Sequence, residues 1–232
     1  MQIKKGMILA AGYGKRMLPL TKTMPKPLIK LGQKNFLERS IELLIKAGVE
    51  EIVLNTYYLS NEIEEFIKKK NYEASIDLIK EEELLDTGGG ILNATKQFKD
   101  EPFFVLNPDT IWNKNYYEEL KILENIYFTN KKPVLLLVNK NKSHDKSFKG
   151  DFNFSNGQFV IREKNNNYIF TGAQIINRSI FAEVKEHFFS MNLIWDQLIQ
   201  KKTLLAQESS QIFFHVNSLK VFKELEKLKF ID

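Results

Sequence analysis

No cysteine occurs among the 232 residues, which excludes disulfides, thiolate nucleophiles and zinc–thiolate sites. Histidine is almost as scarce: His144, His187 and His215 have no obvious serine or acid partner placed for a triad, and no Gly-x-Ser-x-Gly occurs, so hydrolytic nucleophile chemistry is not indicated. Long apolar runs are missing too. The longest beyond the N-terminal region is 134–138, far below the roughly 20 residues that span a bilayer. The Lys4-Lys5 pair precedes an apolar run that stops at Gly12, shorter than the roughly 7–15 residues of a signal-peptide core. A soluble, cytoplasmic protein without membrane contact is the expectation, compatible with the lack of thiols. No hexapeptide repeat of a β-helix occurs. Charge is not concentrated either: 34 Lys and Arg against 29 Asp and Glu leave a net +5 that suits an anionic ligand but is spread along the chain. Lys- and Asn-rich tracts at 139–149 and 164–167 fit solvated loops, and without a stacking or groove-reading motif nucleic acid is not an expected partner. What remains is a 43% hydrophobic chain able to bury a sizeable core, expected to be one domain over 1–232, monomeric or homodimeric.

The most informative stretch is MILAAGYGKRMLPLTKTMPKPLIKLG, residues 7–32. Residues 7–11 read as a short buried strand, and Gly12-Tyr13-Gly14 forces a tight turn before Lys15 and Arg16. Small residues there let an anion reach backbone N–H groups, and the two cations neutralise phosphate charge. Pro25 and Pro27 stiffen the backbone on both sides of Lys26. A dinucleotide fingerprint would need glycine where Met17 stands, and a P-loop would need Gly-Lys-Ser/Thr, so neither motif applies.

This stretch, LAAGYGKRMLPLT followed by PKPL, resembles the signature of the sugar-1-phosphate nucleotidyltransferases, the nucleotide-sugar pyrophosphorylases, and the resemblance extends more loosely over almost the whole chain. Within that family the TGGG, NPD and GDF segments look most like the N-acetylmuramate 1-phosphate uridylyltransferases. The resemblance implies a nucleotide-diphospho-sugar transferase type of fold, Rossmann-like, with three α/β/α layers. The residues agree: apolar spacing predicts helices near 37–45 and 63–67, alternating with strands 51–55 and 76–79. Such alternation argues for a mostly parallel mixed central sheet that places ligands at the carboxyl ends of its strands. A nucleotide-binding part at about 1–110 and a sugar-binding part at about 111–232 are expected.

Further along, Thr87-Gly88-Gly89-Gly90 is expected to open a helix at 91–98. The triplet fits a flexible helix cap as well as a ligand loop; the resemblance implies that it lines the nucleobase. Strand 103–106 ends in Asn107-Pro108-Asp109. An acid at a strand end can hold Mg²⁺ or simply form a turn, and the resemblance implies the metal role. Strands are also expected at 133–138, within 160–177 and at 211–216, with helices at 178–184, 193–201 and 218 to about 229. Trp195 reads as a packing residue.

The expected chemistry is attack by a sugar 1-phosphate on the α-phosphorus of a nucleoside triphosphate, UTP with N-acetylmuramate 1-phosphate first in view. A guanylyl- or cytidylyltransferase acting on another sugar or alcohol phosphate, and a nucleotide-binding regulator that has lost turnover, are the alternatives. Arg16, Lys26 and Asp109 are the expected catalytic residues. Ala10, Ala11, Gly12, Gly14, Lys15, Arg16, Thr87, Gly88, Gly89 and Asn107 are expected to hold the nucleotide. The resemblance implies sugar-phosphate contacts at Glu163, Lys164 and Gly172 in one branch of the family and at Asp151 in another. Mg²⁺ is expected on Asp109 together with the residue matching a second metal-binding Asp of the family. The best match is His215-Val216-Asn217-Ser218, where the acid is histidine. Three consequences stay open: Asp109 and triphosphate oxygens hold the ion alone, the preferred metal shifts to Mn²⁺ or Co²⁺, or catalysis is impaired. Asp196, approaching from its helix, is the alternative if the match is misaligned.

Overall fold

The computed structural model describes residues 1–155 and 158–228. The strands are β1 Lys5–Leu9, β2 Lys30–Leu31, β3 Lys34–Asn35, β4 Glu51–Thr56, β5 Ser75–Lys80, β6 Phe103–Leu106, β7 Val134–Asn139, β8 Asn153–Ser155, β9 Phe159–Ile161, β10 Tyr168–Ile176 and β11 Leu205–Glu208. The helices are α1 Phe36–Lys46, α2 Ser60–Lys68, α3 Asp86–Ala94, α4 Tyr116–Asn130, α5 Met191–Gln200 and α6 Leu219–Lys227. One nine-stranded sheet runs through the described residues in the order β5-β4-β1-β6-β10-β7-β11-β9-β8, and β2 and β3 form a separate ribbon.

The pairing is mixed. β5, β4, β1 and β6 are parallel, β10 lies antiparallel between β6 and β7, and β7 and β11 are again parallel. The chain leaves β1 for β4 and β5 on one side, then returns to β6 on the other. β1 is therefore the point where strand order reverses, and open α/β sheets leave a ligand crevice there, beyond the carboxyl ends.

Side-chain alternation along the strands divides the core between two faces. Ile8, Ile52, Leu54, Phe104 and Leu106 pack with Leu37, Ile41, Ile63 and Leu120 from α1, α2 and α4. Met7, Val53, Phe103 and Val105 pack on the opposite face with Ile91, Ile194 and Trp195 from α3 and α5. These are the expected three layers. A smaller cluster, in which Val221, Phe222 and Leu225 of α6 meet Met17, Ile29 and Phe36, anchors the segment around Lys26. Local chemistry sets the ends: the Asn35 side chain accepts from the Glu38 N–H to start α1, and Gly48 at φ 92° follows its end.

Several elements depart from expectation. The glycine triplet lies inside α3, which begins at Asp86 and ends at Ala94. Residues 178–184 hold only a short 3₁₀ turn, Arg178–Phe181, because they link β10 to the loop before α5. Residues 211–216 are no strand: His215 and Phe213 make single bridges to Thr110 and Ser143, while the strand of that region is β11. The α6 helix begins at Leu219, and its expected extension to about 229 passes beyond the described residues. Among the described residues no helix is long and apolar enough to cross a membrane.

Candidate active site

A cavity of about 410 Å³ opens at the carboxyl ends of β5, β4, β1 and β6. Ala10, Ala11, Gly12, Gly14, Lys15 and Arg16 line it from the loop after β1, Lys26 from the segment beyond, and Asn107 and Asp109 from the turn after β6. A Cβ placed on Gly12 would meet nothing within 4 Å, so the backbone there faces open space. Gly14 has a different role: it sits at φ 62°, and a Cβ would come within 2.9 Å of the Thr21 side chain and 3.1 Å of Lys26. Its carbonyl accepts from the Thr21 hydroxyl at 3.0 Å, which folds the Lys26 segment back against the loop.

Lys26 Nζ forms an ion pair with Asp109 Oδ2 at 2.5 Å, and His215 Nδ1 lies 3.6 Å from Asp109 Oδ1. All three side chains are below one-fifth exposed. Burial alone would raise the Asp109 carboxyl; the charge that His215 carries in acid, together with that of Lys26, outweighs it and holds the group at about 2. The His215 imidazole shifts the other way: burial lowers it below its ordinary value, with Lys26 and Arg16 adding to the effect against the pull of Asp109. Asp109 is thus a carboxylate at neutral pH, beside an imidazole biased toward its neutral form.

At the other end of the cavity lie residues the motifs did not single out. The Ala10 N–H donates to Asn55 Oδ1 at 3.0 Å, Asn55 Nδ2 donates to Glu81 Oε1 at 2.8 Å, and the Leu85 N–H donates to Glu81 Oε2 at 3.3 Å. Glu81 is 3% exposed, and burial raises its carboxyl above the ordinary range against the pull of the Asn55 and Leu85 donors. Asn55 is a buried polar residue in the apolar strand β4, and Glu81 directly follows β5, both on the rim that carries the β1 loop. Leu84 and Asp86 complete this end together with Thr87, which the sequence did single out, and Asn217 lies near Asp109.

The glycine triplet serves packing instead of opening to the cavity. Gly88 and Gly89 are not among its lining residues; both donate their N–H groups to the Phe189 carbonyl, at 2.9 and 3.1 Å. A Cβ on Gly88 would fall 2.4 Å from the Phe189 ring, and one on Gly89 would fall 2.2 Å from the His187 carbonyl oxygen. Gly89→Val should therefore act on the fold, costing roughly 3 kcal/mol and lowering Tm by about 10 °C. A variant melting like wild type, with weakened nucleotide binding, would restore the triplet to the pocket.

A second cavity of about 190 Å³ is lined by Asn107, Asp151, Asn192, Trp195 and His215 among others, and Asn107 borders both cavities. Gly172, at φ 94°, has its carbonyl oxygen accepting from the Asn107 N–H at 2.8 Å, so it braces the turn between the cavities. Glu163 and Lys164 line neither cavity. They sit exposed in the turn from β9 to β10, where Asn153 Nδ2 donates to Glu163. Asp196 is likewise outside, paired with Arg162 at 2.6 Å. Trp195, expected only to pack, reaches the second cavity.

The fold is an α/β sheet with a cation-bearing glycine turn at its strand-order reversal and a buried carboxylate beside it, an arrangement whose chemistry suits a phosphorylated ligand. Residues 5–147 match the model of the nucleotidyl transferase family, and the chain belongs to that family. Mannose-1-phosphate guanyltransferases are among its relatives: that of Candida albicans is 42% identical over 118 residues, and that of Saccharomyces cerevisiae 43% over 111. These matches cover 49% and 46% of this chain but only 33% and 31% of the relatives, so the chain matches about a third of their length. Similar solved structures include a UDP-glucose pyrophosphorylase complexed with UDP-glucose, at TM-score 0.81, 18% identity and 98% coverage of both chains. Another is HddC from Yersinia pseudotuberculosis complexed with GMP-PN, at TM-score 0.76 and 24% identity, with 97% and 99% covered.

Proposed function

We propose that the protein is a sugar-1-phosphate guanylyltransferase. A phosphate oxygen of the sugar 1-phosphate forms a bond to the α-phosphorus of GTP, the bond from that phosphorus to the bridging oxygen breaks, and pyrophosphate leaves with the electron pair. The relatives' activity supports the class of reaction, as does the layout of two cavities meeting at Asn107 beside Lys26, Asp109 and His215.

The observation that carries the choice of base is the buried Glu81 carboxylate. From the end of β5 to the end of β6 are three strand spacings, about 14 Å. The β6 side of that span bears Lys26, with Lys15 and Arg16 from the β1 loop, and attracts phosphates; the β5 side bears Glu81 and Asp86 and repels them. The base therefore belongs at Glu81. Guanine presents two adjacent donors, N1–H and N2–H, that match the two acceptor oxygens of a carboxylate. Uracil presents one donor between two carbonyl oxygens, which a carboxylate disfavours. The reading of UTP with N-acetylmuramate 1-phosphate has less behind it, since Gly88 and Gly89 are bound to Phe189.

In this mechanism Arg16 and the backbone N–H groups of the β1 loop grip the triphosphate, and Lys26 stabilises charge developing around the α-phosphorus. Among the described residues no group of three His, Asp or Glu side chains gathers for a metal. One ionised carboxylate nevertheless fits Mg²⁺, which commonly takes one or two carboxylates with phosphate oxygens. Asp109 would hold the ion, which when bound neutralises phosphate charge. His215, on this reading, supports Asp109 without replacing a carboxylate ligand.

Calorimetric titration should show GTP binding more tightly than UTP by a bidentate contact's worth, roughly 1–3 kcal/mol, with Glu81→Gln removing most of the difference. Equal affinities, or a preference for UTP, would refute the assignment of the base.

A further inference from the structure

We propose that Asn217 supplies a neutral oxygen ligand to the divalent ion held by Asp109, and that Asp145 is the positioning residue that leaves the amide oxygen free for it. The inference rests on the transfer reading above and names a metal-binding group that neither the motifs nor the resemblance assigned.

The segment 213–217 is fastened to two neighbours at once. On one side the Ile111 N–H donates to the Phe214 carbonyl and the Val216 N–H to the carbonyl of Asp109 itself, both at 2.8 Å, with a single bridge between Thr110 and His215. On the other side the Phe213 N–H donates to the Lys142 carbonyl and the His144 N–H to the Phe213 carbonyl, both at 2.9 Å. Asn217 therefore stands at the wall of the larger cavity, directly after the residue bound to Asp109, and Asp145 meets it from the loop after β7. That loop, in a tract whose composition fits solvent exposure, thus reaches the site.

Asn217 Nδ2 donates to Asp145 Oδ2 at 2.9 Å. An amide can present either end to a partner, but an ionised carboxylate only accepts, so this contact fixes which end is nitrogen. Asp145 is itself held: its Oδ1 accepts from the Ser147 N–H and its carbonyl from the Ser143 hydroxyl, both at 2.9 Å. On the other flank of Asn217, the Ser218 hydroxyl accepts from the Val221 N–H at 3.4 Å and caps α6, which packs against Met17 and Ile29. With its nitrogen taken, Asn217 has Oδ1 to offer the cavity, and that oxygen has no partner among the described residues.

The chemistry of this oxygen decides what it suits. Carboxylate, carbonyl and water oxygens suit Mg²⁺ and Mn²⁺, whereas imidazole suits softer transition metals. An amide oxygen beside Asp109 adds a second hard donor without adding charge, so the site keeps its preference for such ions although the acid expected at 215 is histidine.

The test titrates Mn²⁺ into the whole protein, held in excess over GTP, and follows free ion by electron paramagnetic resonance, which needs no turnover. Asn217→Ala should weaken Mn²⁺ binding by about tenfold or more, and Asp145→Asn, which no longer dictates the orientation of the amide, by a part of that. GTP titrated calorimetrically in EDTA should bind both variants as it binds wild type, which separates the ion from the nucleotide. Asp145→Asn is isosteric and carries the test where Asn217→Ala lowers Tm. Mn²⁺ affinity unchanged in either variant would overturn the proposal; GTP binding weakened in EDTA at unchanged Tm would also overturn it, by making Asn217 a nucleotide contact. Asp109→Asn is the reference. If it weakens Mn²⁺ binding and Asn217→Ala does not, this inference falls and the transfer reading stands; if neither variant matters, or wild type takes up no Mn²⁺, both fall.

Discussion

Lys26→Ala should lower kcat by about a hundred- to a thousandfold while changing the KM for GTP far less. A cation aimed at charge that grows only as the α-phosphorus is attacked acts mainly in the transition state. Lys26 is held in place to do this. Its segment is folded onto the glycine turn through Thr21 and anchored from below by α6, and its ammonium is paired with Asp109. Arg16, exposed at the mouth of the same turn, should differ; Arg16→Ala should raise KM as well. Steady-state kinetics over both substrates separates the two. A Lys26→Ala enzyme with near wild-type kcat would show that the Lys26–Asp109 pair is structural, and the mechanism would fall.

Asp109→Asn should weaken divalent-metal binding in the presence of GTP by at least about a hundredfold, read by Mn²⁺ titration as well as by rate. Stability provides an independent check. A carboxyl lowered from 3.8 to about 2 contributes roughly 2 kcal/mol. Because the folded-state value is depressed, that contribution is complete above pH 3.8 and is lost as pH falls through 2. Wild type should therefore unfold at higher denaturant than Asp109→Asn at neutral pH, with the difference closing in acid. Since Lys26 and Asp109 touch, the double variant should lose less stability than the two single losses added together. Unchanged metal affinity and rate in Asp109→Asn would remove the metal role.

Contiguous features were the legible ones. The β1 loop, Lys26 between its prolines and Asp109 at the end of β6 could be read because each follows an apolar strand or keeps short, fixed spacing. The alternating strands and helices of the first half likewise announced the sheet. Asn55 and Glu81 escaped because their meaning is three-dimensional: two strand ends, 26 residues apart, join through one hydrogen bond behind Ala10. The glycine triplet misled for the opposite reason. Small residues signal close approach without saying of what, and here the approaching groups are the chain's own Phe189 ring at Gly88, the His187 carbonyl at Gly89 and the Asn55 amide at Gly90. Glu163-Lys164 was a two-residue match, and the turn after β9 that carries it borders neither cavity. α4 was passed over in the motif reading, although its fifteen residues cover the sheet face opposite α3. His215 was found through a loose match, and the structure sets it 3.6 Å from Asp109 although the expected strand around it is absent.

The central claim is guanylyl transfer between two cavities, and pyrophosphate release measures it most directly. With GTP and mannose 1-phosphate both present the protein should release pyrophosphate and form the nucleotide sugar in equal amounts, with either substrate alone it should release none, and UTP in place of GTP should be slower by about tenfold or more. GTP that binds but yields no pyrophosphate with any sugar 1-phosphate, across Mg²⁺ and Mn²⁺, would contradict the account and leave a nucleotide-binding regulator as the better description.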